Sequence, residues 1–233
     1  MSKDELEEVN WERIMHLKLY SRYRNSAGQR VRTALNLKGV DYTYVGVGSN
    51  GTISQEDYNR DVNPQGLIPT LSVDGELVTQ STALIEFIEE TFDGSSLFPD
   101  DPLMRARSRA FAQVIACEMH PINVGRVKAH LVAEHGQNDA DWERWYDHWA
   151  HHGYETLEKQ LEARTTKTAF AFDDKPTVAD LYLIPQLYNA RVFNTDVSAY
   201  PLLNEIDERC RALEAFDKAM PKNQPDFPGE GAI

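Results

Sequence analysis

The sequence predicts a small α/β domain followed by an all-α domain. Three observations support this prediction. Short apolar runs alternate with stretches of helical spacing in the first third of the chain. A segment rich in Gly, Ser, Pro and Asp follows at 94–102, and the strongly periodic segments after it all have helical spacing. The 233 residues, 41% of them hydrophobic, are enough for two domains with a sizeable core.

The amino-terminal segments follow the order β-α-β-α-β-β-α. Alternation at 16–20 indicates the first strand, and apolar residues at helical spacing indicate a helix that Gly39 ends. Asp74-Gly75 is a hairpin signal. The predicted strands are 16–20, 42–47, 68–73 and 76–78, and the predicted helices are 27–38, 54–61 and one capped by Ser81. This order, with one hairpin in place of a crossover, is typical of the thioredoxin-like fold.

The later segments are predicted to be helices. One long pattern at 103–135 is interrupted at Pro121, and the capping box Thr177-Val-Ala-Asp180 opens another helix. The other expected helices are 141–161 and 201–216, and a Pro- and Gly-rich end at 221–233 is expected to fray. The predicted domains are a thioredoxin-like domain at 15–98 and an all-helical domain at 103–222, with a polar tail at 1–14 and a C-terminal tail at 223–233.

Composition excludes several classes of partner. The net charge of -13 would repel a polyanion, so no nucleic-acid partner is expected. The sequence has no run of about 18 apolar residues and no signal-peptide pattern, so we expect no membrane partner and a cytoplasmic location. Cys117 and Cys210 lack C-x-x-C spacing and are expected to be reduced thiols, neither of them a nucleophile. We also predict no metal site, because the histidines at 148, 151 and 152 lack a carboxylate-rich partner set.

The turn between the first strand and the first helix, residues 19–35, carries the first specific signal. It reads Arg24-Asn-Ser-Ala-Gly-Gln-Arg-Val-Arg32. Arg24, Ser26, Arg30, Val31 and Arg32 match the zeta-class glutathione transferase signature Ser-Ser-Cys-x-x-Arg-Val-Arg, which this turn resembles. The departures are Asn25, Ala27 and Gln29. The resemblance covers roughly residues 16–222 and implies the glutathione-transferase fold, with glutathione as the cofactor.

The start of this helix suits an anion. A helix N-terminus has unpaired N–H groups and a partial positive charge, which lower the pKa of a thiol held there. The resemblance implies that the nucleophile is the glutathione thiolate, held by the Ser26 hydroxyl, with Asn25 able to share the contact. The alternative is that Ser26 only caps the helix.

Two further segments resemble the family's glutathione contacts. Asn63-Pro-Gln-Gly-Leu-Ile-Pro69 is similar to the family segment N-P-x-x-x-V-P, which implies a cis Pro69, a backbone contact from Ile68 and a contact from Gln65. Gln80-Ser81 resembles the pair that binds the γ-glutamyl carboxylate at a helix start. The alternatives are a trans proline that opens an edge strand, and a plain helix cap.

The helical part carries the signal for a substrate. His120-Pro-Ile-Asn123-Val-Gly-Arg126 and 182–193, which contains Arg191, resemble segments of the bacterial maleylpyruvate isomerases. The resemblance implies that His120 and Asn123 hold glutathione, and that Arg126 and Arg191 bind substrate carboxylates, with Arg24 nearby. Arginine suits this role because its planar fork pairs with a carboxylate through two hydrogen bonds. The alternatives are solvated or salt-bridged arginines, and a core histidine at a kink.

The resulting hypothesis is a glutathione-dependent cis–trans isomerase of a maleyl-type ring-cleavage product, maleylpyruvate or maleylacetoacetate. The reaction would proceed by thiolate addition, bond rotation and elimination. Ala27 stands where these isomerases usually carry Cys or Thr, which keeps open a glutathione transferase, ether-cleaving lyase or dehalogenase acting on small aromatic substrates. A non-catalytic binding protein of the same fold is the third alternative. The resemblance also implies a homodimer with two-fold symmetry.

Overall fold

The computed structural model describes residues 15–229. The predicted tail at 1–14 and residues 230–233 lie outside the described residues. Among the helices within 15–229, none is long and apolar enough to cross a bilayer.

A four-stranded mixed sheet forms the centre of the amino-terminal part. Its strands are β1 (Leu17–Ser21), β2 (Thr43–Gly46), β3 (Thr70–Val73) and β4 (Glu76–Thr79). Their order is β2-β1-β3-β4, with β1 parallel to β2 and antiparallel to β3, and β3 antiparallel to β4. Asp74 and Gly75 turn between β3 and β4 with positive φ of 51° and 99°, as a two-residue hairpin requires. The predicted hairpin is therefore confirmed.

Three helices flank this sheet: α1 (Ser26–Lys38), α2 (Gln55–Asp61) and α3 (Ser81–Thr91). Helix α1 ends where predicted, because Gly39 adopts φ 67° and its N–H closes the last turn. Helices α1 and α3 pack on the sheet through fully buried side chains. These include Leu19 and Leu71 from the sheet, Val31 and Leu35 from α1, and Leu84 and Ile88 from α3.

The predicted long helix at 103–135 consists of several segments. Helix α4 (Pro102–Gln113) runs into a π-helical segment (Val114–Met119) and a short 3₁₀ turn (His120–Ile122), before α5 (Gly125–His135) begins. The interruption falls where Pro121 predicted it. Wider turns of the π type are often found at functional sites, and this one delivers His120 to the cavity described below.

The later helices are α6 (Asp139–Glu162), α7 (Val178–Val192), α8 (Pro201–Arg211) and α9 (Glu214–Ala219). Helix α7 opens with the predicted capping box, in which the Asp180 carboxylate accepts the Thr177 N–H at 2.7 Å. The core face of α7 is fully buried, and the helix packs against both α1 and α4. It therefore joins the two parts of the chain. The domain boundaries at 15–98 and 103–222 stay predictions.

The single helix predicted at 201–216 is wrong. Leu213 is extended, at φ −85° and ψ 133°, and separates α8 from α9. In a continuous helix Phe216 would point about 240° away from the buried Cys210, at about 100° per residue. The break returns Phe216 to the core, where it is 1% exposed.

The fraying predicted for 221–233 is also wrong over its described part. Gln224 and Asp226 are buried. The Asp226 carboxylate accepts the Tyr44 hydroxyl at 2.8 Å and the Tyr23 N–H at 3.1 Å. These two hydrogen bonds hold the segment after α9 against the sheet.

Candidate active site

A cavity of about 590 Å³ lies between the α/β part and the helical part. This volume is in the range of small-molecule sites. Its wall includes every predicted site residue except Arg191. Those residues are Arg24, Asn25, Ser26, Gln65, Ile68, Pro69, Gln80, Ser81, His120, Asn123 and Arg126.

The start of α1 forms one end of the cavity. Asn25 is the N-cap, and its side-chain oxygen accepts the Gly28 N–H at 2.5 Å. Ser26 is the first helical residue, so its hydroxyl does not cap the helix. Its Oγ instead accepts a hydrogen bond from Asn189 Nδ2 of α7 at 2.8 Å. The alternative that Ser26 only caps the helix is therefore wrong. Asn189 was not among the residues predicted from the sequence.

The segment before β3 forms the second wall. The Ile68–Pro69 bond is cis, as predicted. Ile68 lies two residues before Thr70, the first residue of β3 that pairs with another strand. Its backbone therefore lies beside the cavity, beyond the paired residues.

The start of α3 completes this wall. Gln80 stands at the N-cap position with φ 72° and makes no side-chain cap, whereas Ser81 is the first helical residue. The predicted Ser81 cap is therefore wrong. Gln80 Nε2 instead donates to Gln65 Oε1 at 3.0 Å. An uncapped helix start of this kind presents N–H groups to an anion.

Arg30 of α1 lies behind Ser81 and was given no site role in the sequence prediction. It is 2% exposed, and its Nη1 donates to Ser81 Oγ at 3.3 Å. Its guanidinium lies 4.0 Å above the Tyr182 ring, and its Nε and Nη2 are buried without a hydrogen-bond partner. Burial lowers the pKa of Arg30 from 12.5 to about 10, so the group remains a cation at neutral pH.

His120 and Asn123 lie on the helical side of the cavity. Burial, followed by the positive charges of Arg30 and Arg126, lowers the pKa of His120 from 6.5 to about 3. His120 is therefore neutral at physiological pH. Asn123 Nδ2 donates to the Tyr146 carbonyl at 3.3 Å, and its Oδ1 is buried without a partner.

Arg24 and Arg126 are the cavity arginines that have no salt-bridge or hydrogen-bond partner within residues 15–229. Arg24 lies 5.4 Å from the centre of the Phe193 ring of the cavity wall. The other two arginines of the wall already donate hydrogen bonds, Arg22 to the Val47 carbonyl at 2.9 Å and Arg30 to Ser81. Arg24 and Arg126 thus remain as the cations without a hydrogen-bond partner within residues 15–229.

Arg191 does not lie where the sequence predicted it. Its Nη1 is 2.7 Å from the carboxylate of Asp207 on α8, and it is absent from the cavity wall. Asn189 of α7 and Phe193, the C-cap residue of that helix, are four residues apart and both line the cavity. Arg191 is two residues from each, about 200° around the helix from Asn189, and so faces the other way.

Cys117 of the π-helical segment also lines the cavity. Its thiol is exposed and donates to Gln113 Oε1 at 2.9 Å. Cys210 is buried. Within the described part of the chain, no group of His, Cys, Asp and Glu residues could hold a metal ion.

Comparison with known proteins agrees with this geometry. The family model for the glutathione S-transferase N-terminal domain matches residues 19–96. The maleylacetoacetate isomerase of Rhizobium meliloti (strain 1021) is 42% identical over 204 residues, which are 87% of this chain and 95% of the relative.

Two solved structures are similar over nearly their whole length. A holo maleylpyruvate isomerase, described as a bacterial zeta-class glutathione S-transferase, is 38% identical with a TM-score of 0.84 and covers 90% of this chain and 99% of that one. The maleylacetoacetate isomerase of Anaeromyxobacter dehalogenans 2CP-1, with dicarboxyethyl glutathione and citrate in its active site, is 35% identical. Its TM-score is 0.82, with 94% of this chain and 97% of that chain covered. The chain therefore belongs to the zeta class of glutathione S-transferases, with the maleylpyruvate and maleylacetoacetate isomerases.

Proposed function

We propose that this protein is a glutathione-dependent cis–trans isomerase that converts a maleyl-type acid, maleylpyruvate or maleylacetoacetate, into its fumaryl isomer. One observation carries the proposal. The cavity joins a helix start that suits a thiolate, at Ser26, to two unpaired cations that suit carboxylates, Arg24 and Arg126. Relatives at 35–42% identity that bear these isomerase names, one of them with dicarboxyethyl glutathione in its active site, support it.

The cavity wall fits glutathione. The tripeptide carries carboxylates, and the uncapped start of α3 with Ser81 and the nearby Arg30 cation suits the one on its γ-glutamyl group. Gln65 and Gln80 offer amide groups beside it. The backbone of Ile68, outside the sheet ladder, can pair with the cysteinyl residue in the manner of an added strand.

Bound glutathione supplies the sulfur that adds to the activated double bond and leaves after rotation. The start of α1 holds that sulfur as a thiolate, because its N–H groups, its dipole and the Ser26 hydroxyl all favour the anion. Arg24 and Arg126 orient the substrate through its carboxylates and stabilise the negative charge that develops on its carbonyl. His120 stays uncharged at physiological pH and can exchange hydrogen bonds with glutathione without adding to the positive charge of the cavity.

The test is turnover of both acids by the purified protein, with and without glutathione, followed by NMR detection of the cis and trans isomers. We expect isomerisation of at least one acid, strict dependence on glutathione, and a large loss of rate in Ser26→Ala. Ser198→Ala, at an exposed serine outside the cavity, is the matched control. Absence of turnover with both acids would refute the proposal. Stable glutathione conjugates without isomerisation would favour the transferase alternative that Ala27 suggests.

We also propose that the protein is a cytoplasmic homodimer. Family membership supports the dimer, and two free cysteines, Cys117 and Cys210, are consistent with a reducing compartment. Sedimentation equilibrium tests the first point, since a monomer mass at micromolar concentration would contradict it. Fractionation of the producing cells tests the second.

A further inference from the structure

Both serines of the cavity share an unusual arrangement. Each hydroxyl oxygen accepts a hydrogen bond from a group that can only donate: Ser26 Oγ from the Asn189 amide nitrogen, and Ser81 Oγ from the Arg30 guanidinium. We propose that Asn189 and Arg30 are positioning residues that direct the two serine protons into the cavity, toward the thiolate and the γ-glutamyl carboxylate. The proposal rests on the glutathione site proposed above.

The Ser26 hydroxyl can form only a few hydrogen bonds. A serine hydroxyl has one proton to donate and two lone pairs that accept. The Asn189 nitrogen, 2.8 Å away, has only protons to offer and occupies one lone pair. The Ser26 hydroxyl is not needed to cap α1, because the Asn25 side chain accepts the N–H at the start of this helix. The single proton of Ser26 is therefore left for a group in the cavity, and an acceptor with negative charge is the one it favours most.

Without Asn189, the hydroxyl can rotate. A lone pair could then face the sulfur, which would repel the anion instead of stabilising it. Asn189 thus acts on the thiol pKa without touching the thiol. It does so from the helical part of the chain, 163 residues away along the sequence.

Ser81 accepts its hydrogen bond from a buried charge. Arg30 is a buried cation with no carboxylate partner within residues 15–229, and two of its nitrogens lack any hydrogen-bond partner. Burying a charge without a counter-ion is costly. An anion at the start of α3 would meet the Ser81 proton and the field of this cation together, and would supply the missing negative charge. The Tyr182 ring, 4.0 Å from the guanidinium, holds the cation in place.

The first experiment measures the thiol pKa of bound glutathione from its thiolate absorbance, with no acid substrate present. Asn189→Leu keeps the approximate volume but removes the donor. We expect it to lower the thiolate fraction at neutral pH between threefold and tenfold in the protein that carries Ser26, and to have no effect in Ser26→Ala. Asn36→Leu, which also removes an amide hydrogen bond from α1 to a later helix, at 2.9 Å, is the matched control and should shift nothing.

An equal shift in both backgrounds, or none in either, would overturn the Asn189 assignment. If Asn189→Leu does not fold, Asn189→Asp serves in the same double-mutant cycle. Its carboxylate would take the Ser26 proton, so its effect should be larger in the presence of Ser26 than in its absence. Because the readout is titration of bound glutathione, it is independent of whether the protein isomerises either acid.

The second experiment compares glutathione with the analogue in which hydrogen replaces the γ-glutamyl α-carboxylate. Measured by calorimetry, Arg30→Met should lower the affinity for glutathione at least tenfold and change the affinity for the analogue by no more than about twofold. Arg30→Lys, which restores the charge, should recover part of the loss and serves if the methionine variant is unstable. Equal losses for both ligands would mean that Arg30 only supports the fold, and would refute its assignment.

Discussion

Replacing Arg191 with alanine should lower the stability of the protein and leave catalysis almost unchanged, whereas Arg126→Ala should do the reverse. The two residues have the same side chain, and the sequence predicts that both bind substrate. The structure separates them: Arg126 lines the cavity, and Arg191 pairs with Asp207. The two variants therefore test the geometry of α7 directly.

The expected loss of stability follows from Asp207. This residue is 4% exposed, and its carboxylate is held by Arg191 at 2.7 Å and by Arg211 at 3.4 Å. Removing one partner of a fully buried pair costs about 3–5 kcal/mol, and losing an exposed pair costs about 0–1 kcal/mol. The Arg191 side chain is 39% exposed and Arg211 remains as a second partner. We therefore expect the free energy of unfolding to fall by about 1–2 kcal/mol, between these limits.

The expected loss of catalysis follows from the cavity. A hydrogen bond to a charged group contributes about 1.5–3 kcal/mol. Since about 1.4 kcal/mol corresponds to a tenfold change in rate, Arg126→Ala should lower kcat/KM by roughly ten- to a hundredfold. Its effect on stability should be small, because Arg126 makes no ion pair within the described residues. In the proposed site, Arg24 would remain to bind the other carboxylate.

The assays are urea unfolding followed by tryptophan fluorescence, and kcat/KM for whichever acid the protein isomerises. Arg107→Ala, at an exposed arginine of α4 away from the cavity, controls for the change in net charge. A tenfold or greater loss of kcat/KM in Arg191→Ala, with the unfolding midpoint of the wild type, would refute this assignment. Such a result would mean that Arg191 leaves Asp207 and turns into the cavity when substrate binds.

His120, the two cysteines and Asp226 each allow a further test of the structure. Burial lowers the pKa of His120 from 6.5 to about 3 in the folded chain. Between pH 6.5 and pH 3, the unfolded chain therefore binds a proton that the folded chain does not. Stability should therefore fall as the pH drops from 6.5 toward 3, less steeply in His120→Gln than in the wild type or in the exposed-site control His130→Gln; parallel curves would contradict this. An aromatic disulfide reagent should modify the exposed Cys117, more slowly when S-methylglutathione, which has no free thiol to react with the reagent, occupies the cavity, and should spare Cys210, whose thiol pKa burial raises; equal rates at both thiols would contradict the assignment. Asp226→Asn should lower the free energy of unfolding by about 1–2 kcal/mol in urea titrations, since it weakens an acceptor of two hydrogen bonds, and an unchanged midpoint would mean that the segment after α9 does not stabilise the fold.

Local patterns predicted most of the fold. The stop of α1 at Gly39 and the hairpin at Asp74-Gly75 depend on backbone conformations that glycine and aspartate adopt more readily than most residues. The capping box at Thr177 depends on residues three apart. Each of these features is decided by residues within a few positions of one another, so the local sequence predicts it.

Features that depend on distant contacts escaped prediction. The Pro- and Gly-rich end is predicted to fray, yet the Asp226 carboxylate accepts a hydrogen bond from the hydroxyl of Tyr44, 182 residues earlier in the chain. The contact of Asn189 with Ser26 likewise exists only when the two parts of the chain have packed together. The spacing between Arg30 and Ser26 does indicate, from the sequence alone, that Arg30 lies near the site. It lies four residues after Ser26, and therefore on the same face of α1.

The sequence contains the information that places Arg191 on the face of α7 opposite Asn189. The resemblance places an arginine in the right segment of α7, but a segment match alone does not say which face of the helix each residue occupies. A helix turns about 100° per residue, so a residue two positions from Asn189 lies across the helix from it. The same arithmetic places Tyr182, seven residues before Asn189, on the same face of α7 as Asn189, and there its ring contacts the Arg30 guanidinium.

The two positioning contacts therefore belong to one helix–helix interface. On α1, Ser26 and Arg30 are four residues apart, and on α7, Asn189 and Tyr182 are seven apart, so each pair occupies one face of its helix. The contacts join Ser26 to Asn189 and Arg30 to Tyr182, which is the order expected of two antiparallel helices. Any shift of α7 along α1 would disturb both serine protons together. The proposed thiolate and carboxylate subsites therefore depend on the same packing of α7 against α1, and substitutions at 30 and 189 should combine non-additively in their effect on glutathione affinity.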